Sequence, residues 1–207
     1  AVEAYHAGLI AKYVFERLAQ IPTEVDFSSE FRYRDPILDG NTLVFFISQS
    51  GETIDTLMAV REAKRKGAIV RGIVNVIGST IARETAAGTY IHAGPELAVA
   101  STKAYTNMVA VMVLYAIQFG RQRHLTMATG QRLLKELLTI PGKMNQILQD
   151  KETIEKVAGK YAKVKDSFFL GRGVNYPSAL EGALKLKEIS YLHSEGFAGG
   201  QLKHGPL

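Results

Sequence analysis

The feature that most constrains this chain is the alternation of short apolar runs with helical periodicity in its first half. Three runs rich in branched residues are short enough to be buried strands, namely Thr42 to Ser48, Ile69 to Val76 and Thr89 to Ala93. Helical spacing lies between them, including a short segment at Ile81 to Ala87. This alternation predicts an α/β fold with a doubly wound parallel sheet flanked by helices.

An amino-terminal extension of the sheet is also predicted. A helix is expected from about Ala4 to Leu18, and a short strand is expected after Pro22, at Glu24 to Phe27. The sheet would then have at least four strands. Residues 1-120 are therefore expected to form a first subdomain that is nearly complete and lacks its opening strand.

The pattern changes to long helices after Ser101. A helical connector is expected at residues 121-165, and a second, truncated subdomain is expected at residues 166-207. We infer a piece of a longer protein. The elements predicted in this half are helices at Thr102 to Phe119, Gly130 to Ile140, Pro141 to Gln149 and Glu152 to Ala162, then a strand at Ser167 to Gly171 and a helix at Pro177 to His193.

Composition excludes several classes of protein. The 207 residues include no cysteine, so disulfides and thiolate metal sites are excluded, and we predict neither a metal nor a cofactor. No apolar run approaches the roughly 20 residues of a membrane span. Basic residues form no aromatic-interleaved stripe, which disfavours nucleic acid as a partner. The first residues lack a secretory pattern, so a cytoplasmic location is expected, and the net charge of +5 fits a phosphate ester.

A polar turn, Ser48-Gln49-Ser50-Gly51-Glu52-Thr53, leads from the first clear strand into a helix. Anions bind where a helix begins beyond the carboxyl end of a parallel strand, so these neutral donors predict a monophosphate site. The turn lacks the Lys-Ser/Thr pair of a P-loop. Ser50 as a simple N-cap remains an alternative. The predicted phosphate ligands are Ser48, Gln49, Ser50 and Thr53.

A second polar turn, Ala100-Ser101-Thr102-Lys103, follows the third predicted strand and opens another helix. It would bring Ser101 and the backbone of Val99 to the same crevice. Ser101 as an N-cap is the alternative interpretation.

A charged face is predicted on the last helix. Glu181, Lys185 and Glu188 are spaced by four and then three residues, which places them on one side. Such a face is either a solvated ion-paired stripe or, on a largely apolar helix, a site for proton transfer. In the second case Glu188 is the candidate base, and Lys185 either stabilises an enediolate oxygen or handles a hydroxyl proton.

A glycine-rich segment, Gly199-Gly200-Gln201-Leu202-Lys203-His204-Gly205-Pro206, follows this helix. Histidine is the side-chain type best suited to exchange protons under physiological conditions, so His204 is a candidate for opening the ring of a cyclic sugar. An ordinary surface histidine is the alternative.

Taken together, these motifs resemble the isomerase region of the glutamine-fructose-6-phosphate aminotransferase family. The resemblance covers nearly the whole chain and is carried by Ser48 to Thr53, Val99 to Ala104, Leu180 to Glu188 and Leu202 to Leu207, with Ser29-Glu30-Phe31-Arg32-Tyr33-Arg34 in addition. It implies two sugar-isomerase (SIS) subdomains, an amino-terminal glutaminase domain in the parent chain, and a homodimer that converts fructose 6-phosphate to glucosamine 6-phosphate. No metal is implied.

The resemblance also implies roles for individual residues. Ser48, Gln49, Ser50 and Thr53 would hold the phosphate, and Val99 and Ser101 would contact the sugar. Glu188 would be the base with Lys185 as its partner, and His204 would open the ring from across a dimer interface. Arg172 would steady the intermediate.

Two departures from the family stand out. Ala1-Val2-Glu3-Ala4-Tyr5 replaces the usual Cys-Gly-Thr-Ser-Tyr, and Gln201 replaces glutamate. The glutaminase and the carboxy-terminal lysine that forms a Schiff base in the family are not in this chain. Two other functions therefore stay open, a non-catalytic sugar-phosphate-binding SIS module and another SIS isomerase or deglycase.

Overall fold

The computed structural model describes residues 2–205 and divides into two compact units. The first runs to Glu16 and includes Ile21–Val113, and the second comprises Arg17–Gln20 and the residues from Leu114 onward. Ala1, Pro206 and Leu207, which belong to segments of the family resemblance, lie outside the described residues. The three-part division at residues 120 and 165 stays a prediction.

Alternating helices and strands build the first half of the chain, as the periodicity predicts. Apolar branched residues form the strands, and amphipathic segments form the helices between them. The elements are α1 (Val2–Ala19), α2 (Ser28–Tyr33), β1 (Leu43–Ser48), α3 (Ile54–Arg65), β2 (Ile69–Val74), α4 (Thr80–Thr85), β3 (Gly88–Tyr90) and α5 (Lys103–Arg123).

A parallel three-stranded sheet in the order β1-β2-β3 forms the centre of the first unit. Ser48 pairs with Val74, and Val74 pairs with Tyr90, so the carboxyl ends of all three strands lie along one edge. Phe46 belongs to a core with α2, α3 and α4, whereas the neighbouring Phe45 contacts Phe15 of α1. Successive strand residues point to opposite faces, so helices cover both faces and the predicted α/β class is confirmed.

The predicted strand at Glu24 to Phe27 is wrong, and the first sheet has three strands in the described residues. This segment packs on α1 through its side chains. Phe27 stacks on Tyr5 with 3.8 Å between ring centroids, and Val25 lies against Gly8. Side-chain contact with a helix takes the place of backbone pairing.

The third predicted strand, Thr89 to Ala93, is shorter than expected, because β3 ends at Tyr90. The N–H of Ile91 still donates to Val74 O of β2, and beyond Ile91 a side chain replaces the neighbouring strand as a hydrogen-bond partner. The backbone N–H of Ala93 donates to Asn75 Oδ1 at 2.9 Å. The chain therefore leaves the sheet early and forms a loop up to α5.

The second unit contains helices and a parallel pair of strands, β4 and β5. α8 packs on both strands. Asp166 pairs with His193, and Gly171 pairs with Ala198, which puts the carboxyl ends of both strands at one edge. The elements are α6 (Met127–Gln149), α7 (Lys151–Tyr161), β4 (Asp166–Gly171), α8 (Asn175–Ser190) and β5 (His193–Ala198).

Two predictions for this half need correction. The helix expected to break before Pro141 is continuous, with Pro141 inside α6. Apolar residues continue at helical spacing on both sides of it, and proline removes only one helical hydrogen bond. The helix expected to reach His193 ends at Ser190, because Tyr191 adopts a left-handed conformation with φ 59°. His193 instead opens β5, a strand the periodicity did not predict.

None of the helices in residues 2–205 has both the length and the apolar character that a membrane span requires. The same residues contain no group of three or more histidine and carboxylate side chains arranged to hold a metal ion.

Candidate functional site

The turn after β1 is held by its own hydroxyl groups. Ser48 is buried at the end of the strand, and its Oγ accepts a hydrogen bond from the backbone N–H of Gly51 at 3.0 Å. Ser48 Oγ also lies 3.3 Å from Thr53 Oγ1. These bonds close the turn, so that Gln49 and Ser50, both half-buried, lie at its tip.

The N-cap interpretation of Ser50 is wrong. The N-cap residue of α3 is Thr53, and its side chain makes no capping hydrogen bond. Ser50 Oγ accepts from the backbone N–H of Glu52 at 3.2 Å, and Glu52 lies two residues before the start of α3. The side chain of Thr53 therefore caps none of the first N–H groups of α3, and these groups begin the helix next to a cluster of hydroxyl groups, which is an arrangement suited to an anion.

Backbone bonds tie this turn to the loop between β2 and α4. Gln49 O accepts from the N–H of Asn75 at 3.2 Å, and Gly51 O accepts from the N–H of Ile81 at 2.9 Å. Glu52 Oε1 accepts from the N–H of Thr80 at 2.8 Å. Hydrogen bonding to Thr80 lowers the pKa of Glu52 below its ordinary value. The carboxylate thus stays ionised and anchors the turn.

Gly51 is required by both conformation and space. Its φ of +68° belongs to the left-handed region, and a Cβ there would lie 2.5 Å from Ser79 Cβ and even closer to Ser79 Oγ. Ser79 is 2 % exposed, and its Oγ has no hydrogen-bond partner in residues 2–205. The turn therefore follows a path that only glycine permits.

The second polar turn is organised by a carboxylate. Glu96 Oε1 accepts from Ser101 Oγ at 3.1 Å, from the N–H of Thr102 at 3.2 Å and from the N–H of Ala104 at 2.9 Å. Burial raises the pKa of Glu96, but these hydrogen bonds outweigh burial, so the pKa lies below its ordinary value. Glu96 rather than Ser101 satisfies the first donors of α5, and the predicted sugar contact Val99 is 94 % exposed beside it.

Asn75 connects the two turns. Its backbone N–H donates to Gln49 O, its Oδ1 accepts from Ala93, and its Nδ2 donates to Gly94 O at 2.7 Å. One residue at the carboxyl end of β2 therefore fixes the position of both neighbouring loops.

Sequence reasoning missed Asn75, Glu52 and Glu96 as contributors to this site. Asn75 carried a usable signal, because a polar residue directly after an apolar strand marks the ligand edge of a parallel sheet. The prediction instead extended the strand through Asn75 to Val76. Glu96 carried no local signal, since its partners are five to eight residues further along the chain.

The charged face predicted on α8 forms in the second unit. Lys185 Nζ donates to Glu188 Oε2 at 2.7 Å and lies 3.4 Å from Glu181 Oε1. The side chains of Glu181, Lys185 and Glu188 are 7 %, 17 % and 30 % exposed. A solvated surface stripe would be more exposed, so the interpretation as a partly desolvated cluster fits better.

Lys185 is held in its charged form by this cluster. Burial lowers its pKa, but the hydrogen bond to Glu188 and the charges of Glu181 and Glu188 raise it more. The pKa therefore lies above the ordinary value of 10.5. An ammonium group fixed between two carboxylates can stabilise negative charge that develops on a substrate oxygen.

The loop that carries His204 begins at the opposite end of α8 from Glu188. The loop that carries it follows β5, where the N–H of Gly199 donates to Gly171 O at 2.8 Å and the N–H of His204 donates to Gln201 O. α8 begins at Asn175 beside Gly171 and runs back along the strands, so Glu188 is 13 residues further along this helix. At about 1.5 Å per residue, roughly 20 Å of helix separates Asn175, at the start of α8, from Glu188.

The comparisons with known proteins agree on one family. SIS domains match residues 3–118 and 160–207 of the chain. A glutamine–fructose-6-phosphate aminotransferase (isomerizing) of Thermus thermophilus is 54 % identical over 205 residues, which are 99 % of this chain and 34 % of that protein. The protein of the same name from Clostridium tetani has the same identity and coverage. The chain thus spans about a third of the length of these relatives.

A solved structure extends the likeness to three dimensions. The C-terminal domain of glucosamine-fructose-6-phosphate aminotransferase from Francisella tularensis superposes with a TM-score of 0.95 at 39 % identity. The match covers 99 % of this chain and 58 % of that one.

Substituting Gly51 tests the geometry of the turn after β1. Gly51→Ala is expected to lose about 2–4 kcal/mol of unfolding free energy, from a positive φ and from the clash with Ser79. Gly78→Ala is the matched control, because Gly78 has a similar φ of +71° and open space around its Cα. It should lose only about 1 kcal/mol. Urea denaturation measures both, and equal losses would contradict the packing described for Gly51.

The Lys185 cluster predicts a dependence of stability on alkaline pH. Because the folded-state pKa is raised, the stabilisation is complete below 10.5 and is lost as pH rises through the folded-state value. The gap in unfolding free energy between the wild type and Lys185→Met should therefore stay constant up to about pH 10.5 and narrow as the pH is raised from there to about 12. Lys187→Met, at an exposed position of α8, is the control. A gap that stays constant across this range would refute the expectation.

Proposed function

The chain belongs to the SIS domain family, and on that premise we propose that it is the isomerase region of a glutamine-fructose-6-phosphate aminotransferase. It binds fructose 6-phosphate and forms glucosamine 6-phosphate, the first step of amino-sugar synthesis, in the cytoplasm. The observation that carries the proposal is the contact of 2.7 Å between Lys185 and Glu188. A module that only senses sugar phosphates has no use for a partly desolvated proton-transfer pair.

The turn after β1 binds the phosphate in this proposal. Its donors are neutral hydroxyl and amide groups together with the N–H groups at the start of α3, which suits a monophosphate that carries no metal. The residues are Ser48, Gln49, Ser50 and Thr53. Ser101 and the backbone of Val99 contact the sugar, on a loop that Asn75 ties to the phosphate-binding turn.

Glu188 moves the proton. Ammonia replaces the C2 carbonyl oxygen of the open-chain ketose as an imine, with loss of water. The Glu188 carboxylate takes a proton from C1 to form an enolamine and returns it to C2, while the C1 hydroxyl loses its proton and becomes the aldehyde and the nitrogen gains one. Lys185 stabilises the developing charge on oxygen throughout.

Ring opening requires a second copy of the chain. His204 acts on the cyclic sugar, and the loop that carries it begins at the end of α8 that is about 20 Å of helix away from Glu188. A two-fold dimer supplies both groups to each site if His204 comes from the partner. We therefore propose a homodimer, with ammonia delivered by a glutaminase domain of the parent protein.

Two substitutions separate binding from chemistry. Ser50→Ala is expected to weaken fructose 6-phosphate binding about tenfold, through loss of a hydrogen bond to a charged group. Glu188→Gln should leave affinity within about twofold and slow isomerisation in the full-length protein at least about 100-fold. Calorimetry measures the first effect and turnover the second. Thr139→Ala, on the exposed α6, is the control, and wild-type binding and turnover in both variants would refute the assignments.

Mixing inactive variants tests the dimer. Full-length Glu188→Gln and His204→Asn proteins should each be inactive alone. After subunits exchange at equal concentrations, half of the dimers are mixed and one of their two sites is intact, so about a quarter of wild-type activity should return. Activity that never rises above that of the separate variants would place both residues in the same subunit's site.

A further inference from the structure

Two serines of the first unit have opposite hydrogen-bond polarity. A hydroxyl group has one proton to donate and two lone pairs to accept with, so its fixed partner decides what it offers a ligand. Ser50 Oγ accepts from the N–H of Glu52 at 3.2 Å. That bond uses a lone pair and leaves the Ser50 proton to donate to a ligand. A phosphate ester, which is largely dianionic at neutral pH, accepts such a proton.

Ser101 has the opposite hydrogen-bond polarity. Its Oγ donates to Glu96 Oε1 at 3.1 Å, so the only proton of the hydroxyl is already used. The two lone pairs of Ser101 Oγ remain available to a ligand. A ligand atom that binds Ser101 must therefore be a donor, such as a hydroxyl or an amino group.

The charge of Glu96 also disfavours an anionic group at Ser101. The carboxylate already accepts from the N–H groups of Thr102 and Ala104, so the first turn of α5 is neutralised from within the chain. Its lowered pKa keeps it ionised at neutral pH. An anion approaching Ser101 would meet a negative charge and no free proton.

From these contacts we propose that Glu96 is a positioning residue: by taking the only proton of Ser101, it makes that hydroxyl an acceptor subsite for a donor group of the sugar and disfavours the phosphate there. The proposal rests on the proposed function and deepens it. The phosphate goes to the turn of Ser50 and a hydroxyl-bearing carbon of the same ligand goes to Ser101, so the two serines together set the direction in which the ligand lies. Glu96 acts through Ser101 and is a positioning residue.

Capping of α5 alone does not account for this arrangement. A carboxylate that only caps a helix needs the N–H groups of Thr102 and Ala104, and both bonds form without any serine hydroxyl. The third bond, from Ser101, orients a side chain rather than the helix. Ser101 is half-buried and therefore remains accessible to a ligand.

Calorimetry on the whole chain with two probes, inorganic phosphate and fructose 6-phosphate, tests the proposal. Ser101→Ala and Glu96→Gln should each weaken fructose 6-phosphate binding about tenfold and change phosphate binding by less than about twofold. Ser101→Thr, which keeps the hydroxyl group, should retain the affinity for the sugar phosphate. Circular dichroism and urea unfolding verify that each variant is folded.

A double variant separates positioning from a merely structural role. If Glu96 acts through Ser101, then Glu96→Gln adds little to Ser101→Ala, and the double variant should bind fructose 6-phosphate within about twofold of Ser101→Ala alone. A further loss of about tenfold in the double variant would overturn the positioning role. Should Glu96→Gln fail to fold, the split between the two probes in Ser101→Ala decides the subsite.

The outcomes distinguish this inference from the proposed function. Wild-type protein that binds neither probe refutes the proposed function and this subsite with it. Wild-type protein that binds both, with Ser101→Ala weakening both probes equally or neither, refutes the subsite alone.

Discussion

Parallel pairing of β1, β2 and β3 is the constraint on which the first unit depends. It aligns the carboxyl ends of the three strands, so residues far apart in sequence reach a common edge. Asn75 then fixes the loops that follow β1 and β3, because it forms hydrogen bonds to both of them. The loops themselves contain little regular structure, and they keep their positions only because the sheet beneath them is closely packed.

Charge is distributed in the first unit so that the candidate site presents mainly neutral groups. Glu52 and Glu96 are both ionised, and each accepts backbone N–H groups at a helix start. The two acids stabilise loops, and under the proposed function the hydroxyl groups bind the ligand. A hydroxyl group can donate or accept a hydrogen bond, and its fixed partner decides which of the two it offers to a ligand. Ser50 is left as a donor and Ser101 as an acceptor, which under the proposed function suits the two different ends of a sugar phosphate.

The second unit has a different constraint, the length of α8. A helix that starts at the carboxyl end of β4 must return along the strands before β5 can begin, so its two ends lie far apart. Lys185 and Glu188 lie near one end, and the loop of His204 follows β5 at the other. Under the proposed mechanism this separation makes a second subunit part of the chemistry rather than an addition to it.

The sequence by itself determined the α/β class, the turn after β1 and the single face shared by Glu181, Lys185 and Glu188, because periodicity and helical spacing are local properties. It failed at Glu24 to Phe27 and at β5, where contact with α1 and the left-handed Tyr191 override the local pattern. Only the tertiary structure decided that Glu96 holds Ser101 and that Asn75 joins two loops. The bonds of Asn75 depend on which strands lie side by side, and the bond of Glu96 depends on how the loop before α5 folds back on itself. Periodicity encodes neither arrangement.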